Sequence, residues 1–231
     1  YLINHQNYCM SDITPESVQE LLNSDDLGDR IKGINQLRQL DQKIAFELLK
    51  PMLIDRNTRV RYAAVSQLDT LGSQDLGESL VLLRDRLWND PEPDVRAAAA
   101  DAIGGLKLTV AFDDLQQLYQ QTSEWLIQLS IIATLGELGE PRAFELLQEA
   151  LTSDNILIQT AAISSLGELG DARAVPLLLP FVTDSDWQIR YRLAQALGHL
   201  GGSQAKAALE QLAQDEIEPI AQEAKSFLPS S

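Results

Sequence analysis

Apolar residues return along this chain at helical spacing, in blocks that themselves return about every 31 residues. The clearest block is 154–170, DNILIQTAAISSLGELG. Aligning its relatives gives an anchor column of Arg30, Arg61, Arg96, Gln128, Gln159, Arg190 and Ala221, with steps of 31, 35, 32, 31, 31 and 31. One residue before the anchor stand Val60, Val95, Ile127, Ile158, Ile189 and Ile220. Three after it stand Gly33, Ala64, Ala99, Ile131, Ala162, Leu193 and Ala224, and seven after it Leu37, Leu68, Ile103, Leu135, Leu166, Leu197 and Leu228. These columns share one face of an α-helix, with small residues where a neighbouring helix approaches closely. A fixed period of this length marks stacked supersecondary units, each too small to bury its apolar face alone.

Between these second helices, B, run leucine-rich stretches of helical length, 45–54 (AFELLKPMLI), 77–88, 143–151 and 174–182, which predict a first helix, A, in each unit. Nothing reads as a strand. Gly72, Gly139, Gly170 and Gly201 stand where a left-handed cap closes helix B, and turns such as NDPEPD open the next helix. The 35-residue step places a small insertion around 73–88. Near the start, Thr14 predicts an N-cap, with Pro15 at the first helical position and Ser17 in the capping-box position. The expectation is an all-α solenoid, a right-handed superhelix of paired antiparallel helices with about seven repeats in a single array over 11–231. Residues 1–10, YLINHQNYC and Met10, break the pattern and read as an N-terminal extension, peripheral or non-native.

Three anchors have an aspartate six residues ahead: Asp55 before Arg61, Asp90 before Arg96 and Asp184 before Arg190. The spacing puts a loop carboxylate within reach of a guanidinium on the first turn of helix B. Because it recurs with the repeat, it reads as an inter-repeat structural ladder, each aspartate pairing with the arginine six residues on or with that arginine's neighbour in the stack, rather than as ion handling. Gln128 and Gln159 weaken the ladder mid-array.

Composition narrows the function. A formal charge of −16 and a pI near 4.4 leave no basic footprint for a nucleic-acid backbone and disfavour an anionic membrane surface. No apolar run reaches the ~20 residues of a spanning helix, and no signal peptide is recognisable, so membrane insertion is not expected. The single cysteine, Cys9, excludes an intrachain disulfide framework and fits a reducing cytosol. His5 and His199 are the only histidines, so no His-pair metal motif is expected, and no hydrolase triad order is recognisable. The catalytic residues, if any, stay unassigned. His199, at the end of a B helix, reads as a helix-terminal cation or capping group.

The paired helices, the Asp-to-Arg spacing and the ending AAISSLGELGD (161–171) resemble HEAT repeats. The short period and the runs ITPESVQELL (13–22), RVRYAAVSQL (59–68), 112–139 and RAFELLQEALTSDN (142–155) are similar to the HEAT-like repeats of the cyanobacterial phycobilisome (bilin) lyase group. That resemblance implies a cytoplasmic protein at the phycobilisome, with phycocyanin or allophycocyanin subunits as partners beside other degradation or lyase proteins. It would detach a linear tetrapyrrole during antenna degradation, or attach one as a lyase subunit does. It implies no intrinsic cofactor, with phycocyanobilin a transient ligand. The alternative is a non-catalytic adaptor that grips the antenna protein.

In such solenoids B helices line the concave side, and the columns two before, one after and five after the anchor lie opposite the buried stripe. Leu126, Leu129 and Leu157 fall there as an apolar patch of the kind associated with partner contact, with Arg59, Tyr62 and Tyr191 in the same columns. Trp125 and Trp187 share the column three before the anchor and read as interface anchors. Toward a bilin, Tyr62, Tyr191 and the leucines would face the conjugated plane, while Arg59 and Arg192 would meet its propionates.

Overall fold

The computed structural model describes residues 13–229, so the expected extension, with His5, Cys9 and Met10, lies outside the described residues. Among the described residues there are fourteen α-helices, short 3₁₀ turns and no strand. They alternate A then B: α1 (Pro15–Leu22) and α2 (Leu27–Gln36), α3 (Gln42–Leu49) and α4 (Thr58–Leu71), α5 (Leu76–Asn89) and α6 (Pro93–Gly105), α7 (Phe112–Gln121) and α8 (Trp125–Leu138), α9 (Phe144–Ala150) and α10 (Ile156–Leu169), α11 (Ala174–Leu178) and α12 (Trp187–Leu200), α13 (Gly202–Leu212) and α14 (Glu218–Ser226). Every B helix begins three residues before its anchor. The insertion enlarges one A helix: α5 has 14 residues, where α13, the next longest, has 11.

The packing divides within α4, between Ala64 and Val65, into two compact units. In the first, α1 packs on α2 and α3 around Val18, Ile34, Phe46 and Leu49, all buried. Thr14 and Ser17 form a reciprocal capping box at the head of α1. Gly33 lets α2 approach α1, since a Cβ there would lie 2.8 Å from Leu22 Cδ2.

In the second unit successive B helices pack side by side, α6 on α8, α8 on α10, α10 on α12 and α12 on α14. The crossing falls eight residues after the anchor, at a glycine: a Cβ on Gly136 would lie 2.6 Å from the Ser165 Cα, and one on Gly167 the same distance from the Ala196 Cα. Contact this close lets a hydroxyl of one helix reach the backbone of the previous one. Thr134 Oγ1 donates to the Ala100 carbonyl and Ser165 Oγ to the Ile132 carbonyl, each at 2.9 Å. The columns one before and three after the anchor are buried throughout the B helices where they are apolar or small. Leu228 departs from the buried column seven after: α14 ends at Ser226, and Leu228 lies half-buried beyond it.

Gly139, Gly170 and Gly201 close α8, α10 and α12 with positive φ, of 64°, 72° and 67°. Gly72 does not. It begins a 3₁₀ turn and is small for a packing reason: a Cβ would lie 2.7 Å from Leu106 Cδ1, and its carbonyl accepts a 2.9 Å bond from buried Ser79 Oγ. The capping position after α6 belongs to Lys107, at φ 54°, where the later repeats have glycine.

Candidate functional site

The anchor side chains set the geometry of the loops leading into α2, α4, α6, α8, α10 and α12, whereas α14 has Ala221 at this position. Arg30 donates to the Ser24 carbonyl at 2.8 Å, Arg61 to that of Asp55 at 3.0 Å and Arg96 to that of Leu87 at 2.9 Å. Gln128, Gln159 and Arg190 donate to the carbonyls of Thr122, Leu151 and Asp184 at 3.0, 2.9 and 2.7 Å. One N–H suffices for this bond, so glutamine replaces arginine without breaking the series. Arg61 and Arg190 donate to the carbonyl of the aspartate six residues ahead, while the Asp55 carboxylate meets Arg30, the neighbour of Arg61 in the stack. The carboxylate partner comes 25 residues later, from the next repeat. Arg190 pairs with Asp215 at 2.7 and 3.1 Å, and Arg30 Nε stands 3.1 Å from Asp55 Oδ2, an ion-pair contact outside hydrogen-bond alignment. Asp90 is buried and meets Arg86 at 3.1 Å. The Arg190 guanidinium holds the Asp215 carboxyl below the usual carboxylate range, against burial.

These loops present the B-helix heads. Trp125, Ile156 and Trp187 are the first residues of α8, α10 and α12, and so occupy one column, exposed by 47%, 45% and 47%. Leu157, 48% exposed, adjoins them. The heads are pinned locally: Asn155 Oδ1 accepts from the Leu157 amide at 2.9 Å, Asp186 Oδ1 from that of Gln188 at 2.8 Å, and Thr122 Oγ1 from that of Glu124 at 3.1 Å. Leu126 and Leu129 are half-buried, so the open apolar surface is centred on the tryptophan column rather than on those leucines. Ile156 belongs to this column by its register and was legible there. Ala97, one after its anchor, is buried.

Tyr191 is half-buried, with its hydroxyl 3.5 Å from Glu223 Oε2, and exposed Arg192 donates to Gln195 Oε1 at 3.0 Å. Arg59 and Tyr62 are exposed on the opening turns of α4, in the first unit.

The exposed row continues toward the B-helix tails, nine residues after the anchor, through Glu137, Glu168 and His199. Together with Lys107, Ala133 and Ser164 they line a groove of about 810 Å³ with a floor of glycine, alanine and serine. The columns read from sequence stopped one turn short of it. Lys107 Nζ donates to the Glu137 carbonyl at 2.8 Å and pairs with its carboxylate at 3.2 Å. Partial burial, then repulsion from Glu137, pushes the Glu168 carboxyl up. The His199 ring meets Phe227 edge-on at 5.7 Å. Among the described residues no group of three or more His, Cys, Asp or Glu is placed to hold a metal, and no helix is long and apolar enough to cross a membrane. The face offers apolar surface at the helix heads and a charged groove at the tails.

The family profile described as HEAT repeats matches residues 14–104, 80–161 and 145–226. No curated protein matches the sequence. Among solved structures the chain is similar to the complex of CpcE and CpcF of phycocyanin lyase from Nostoc sp. PCC7120, at 21% identity and a TM-score of 0.64, covering 99% of this chain and 100% of that one. It is also similar to YibA of E. coli, at 17% identity and a TM-score of 0.65, covering 92% of this chain and 80% of that one. The archaeal HEAT-like repeats protein from Thermococcus onnurineus NA1 follows at 15% identity and a TM-score of 0.57, covering 94% and 96%. At these identities the likeness is one of fold.

Proposed function

This chain belongs to the HEAT-repeat family, and from that premise we propose that it binds a phycobiliprotein subunit on the open B-helix face of its second unit. The observation that carries the reading is the column of Trp125, Ile156 and Trp187, with Leu157 beside it, left open at the heads of three successive B helices whose columns one before and three after the anchor are buried. Large aromatic side chains in such positions are typical binding anchors. The fold shared with the phycocyanin lyase complex, and the runs that resemble the phycobilisome lyase group, support phycocyanin or allophycocyanin as the client. Within that group we favour a role like that of the phycobilisome-degradation protein NblB, assisting bilin detachment as the antenna is dismantled, with phycocyanobilin held only transiently. Bilin attachment as a lyase subunit and non-catalytic gripping use the same face.

Size exclusion of the protein mixed with intact phycocyanin, recorded across the visible spectrum, separates these roles. Co-elution with loss or shift of the bilin absorption supports detachment. Co-elution with an unchanged spectrum assigns the adaptor role, and visible absorption gained by the apo client on mixing with free phycocyanobilin assigns attachment. Separate elution of protein and phycocyanin contradicts client binding itself.

A further inference from the structure

The head column has a spacing that selects the shape of what docks on it. Axes of packed helices lie about 8–10 Å apart, so Trp125, Ile156 and Trp187, at the first position of three adjacent B helices, step along the face in increments of about 10 Å. An α-helix rises about 1.5 Å per residue, so about seven residues, two turns that return to nearly the same face, cover one step. An extended strand covers it in about three residues, an odd number that turns successive side chains to opposite faces.

The charge around the column is of one sign. Glu92, Asp94, Glu124, Asp154, Asp186 and Glu218 stand at the heads of α6 to α14, and no lysine or arginine occurs in 91–94, 123–126, 154–157, 185–188 or 216–219. Acidic residues at helix N-termini also satisfy the helix dipole. The dipole does not require two half-exposed tryptophans and an isoleucine between them. A second copy of this chain would bring the same acidic rim against itself.

We propose that the column docks one amphipathic α-helix of the client, with apolar side chains seven residues apart along its seam and lysines or arginines on its flanks. The inference rests on the client-binding reading above and names the part of the client that is gripped. The helix lies across α8, α10 and α12, sets three successive seam residues against Trp125, Ile156 with Leu157, and Trp187, and aims its cations at the carboxylate rim.

The test titrates the protein, monitored by tryptophan fluorescence, with a 21-residue synthetic amphipathic helix that carries leucine at heptad seam positions and lysine on both flanks. A second peptide carries glutamate in place of every lysine, and phycocyanin is assayed in parallel by size exclusion. The expected result is saturable binding of the lysine peptide, none of the glutamate peptide, and at least tenfold weaker binding by Trp125→Ala/Trp187→Ala with an unchanged far-ultraviolet spectrum. The double variant is read by fluorescence anisotropy of a labelled peptide. Equal binding by the double variant and wild type means that net negative charge alone attracts the peptide, and overturns the proposal. Equal affinity for both peptides, or a concentration-dependent dimer that the double variant abolishes, overturns it as well. Phycocyanin bound while the lysine peptide is ignored sinks this inference and leaves client binding standing; failure of both removes client binding too.

Discussion

Arg190 shows how far a residue's role extends past its own repeat. Its guanidinium satisfies the Asp184 carbonyl and pairs with Asp215, both side chains nearly buried, so Arg190→Ala leaves a carboxylate unpaired and should cost about 3 kcal/mol. The pH dependence follows from the depressed Asp215 carboxyl. Its contribution is complete above the unfolded value of about 4 and is lost as pH falls through the lower folded value. Thermal melts should therefore show a gap between wild type and Asp215→Asn that is widest near neutrality and closes toward pH 2. Glu168 has the opposite sign: its raised carboxyl penalises the folded state once ionised, so Glu168→Gln should melt higher than wild type at pH 7, the difference shrinking as pH falls. The Asp184-to-Arg190 spacing was legible in the sequence but Asp215 was not, because that carboxylate arrives through space from 25 residues further on. Of the leucine patch, Leu157 is exposed as its column predicts, whereas Leu126 and Leu129 are half-buried. Leu129→Ser, half-buried, should cost about 1–2 kcal/mol, whereas Leu157→Ser should stay within about 0.5 kcal/mol, a contrast that urea melts resolve.

Helix starts were the most legible elements, because an apolar face repeated six times averages out local propensity and leaves the register. Glycines were legible only as glycines. Gly139 is free of neighbours and needs its left-handed cap, so Gly139→Ala should cost about 1 kcal/mol of backbone strain. Gly136 has helical geometry, and its alanine would press on the Ser165 backbone, which cannot swing away as a side chain does; Gly136→Ala should cost about 2–3 kcal/mol. Denaturant unfolding should rank the two in that order, and equal costs would mean that the α8–α10 crossing relaxes freely. Gly72 belongs with the second kind, which a sequence pattern of glycine after a helix does not distinguish from the first. Arg96→Ala removes the bond to the Leu87 carbonyl and should cost about 1–2 kcal/mol while leaving client binding intact at temperatures below unfolding.

At the scale of the molecule, the fourteen helices among the described residues, in A–B alternation on one repeated pattern, have an interior explained by local stacking and an exposed head column that this stacking does not explain. The charge of −16 leaves no basic footprint for a nucleic-acid backbone, and apolar burial within an acidic rim is the means of recognition we propose for that face. The repeat itself was legible from the sequence because burial repeats; the site was legible only in part because an exposed column leaves no burial pattern to read. Trp125 and Trp187 stood out by type, Ile156 joined them only by position, and the tail groove emerged from the folded row. The direct measurement is size exclusion of phycocyanin with wild type and with Trp125→Ala/Leu157→Ser/Trp187→Ala, a variant in which every altered side chain is about half exposed and the helical dichroism should be unchanged. Wild type should co-elute with phycocyanin and the triple variant should elute apart from it; co-elution of both to the same extent would contradict the claim that this face holds the client.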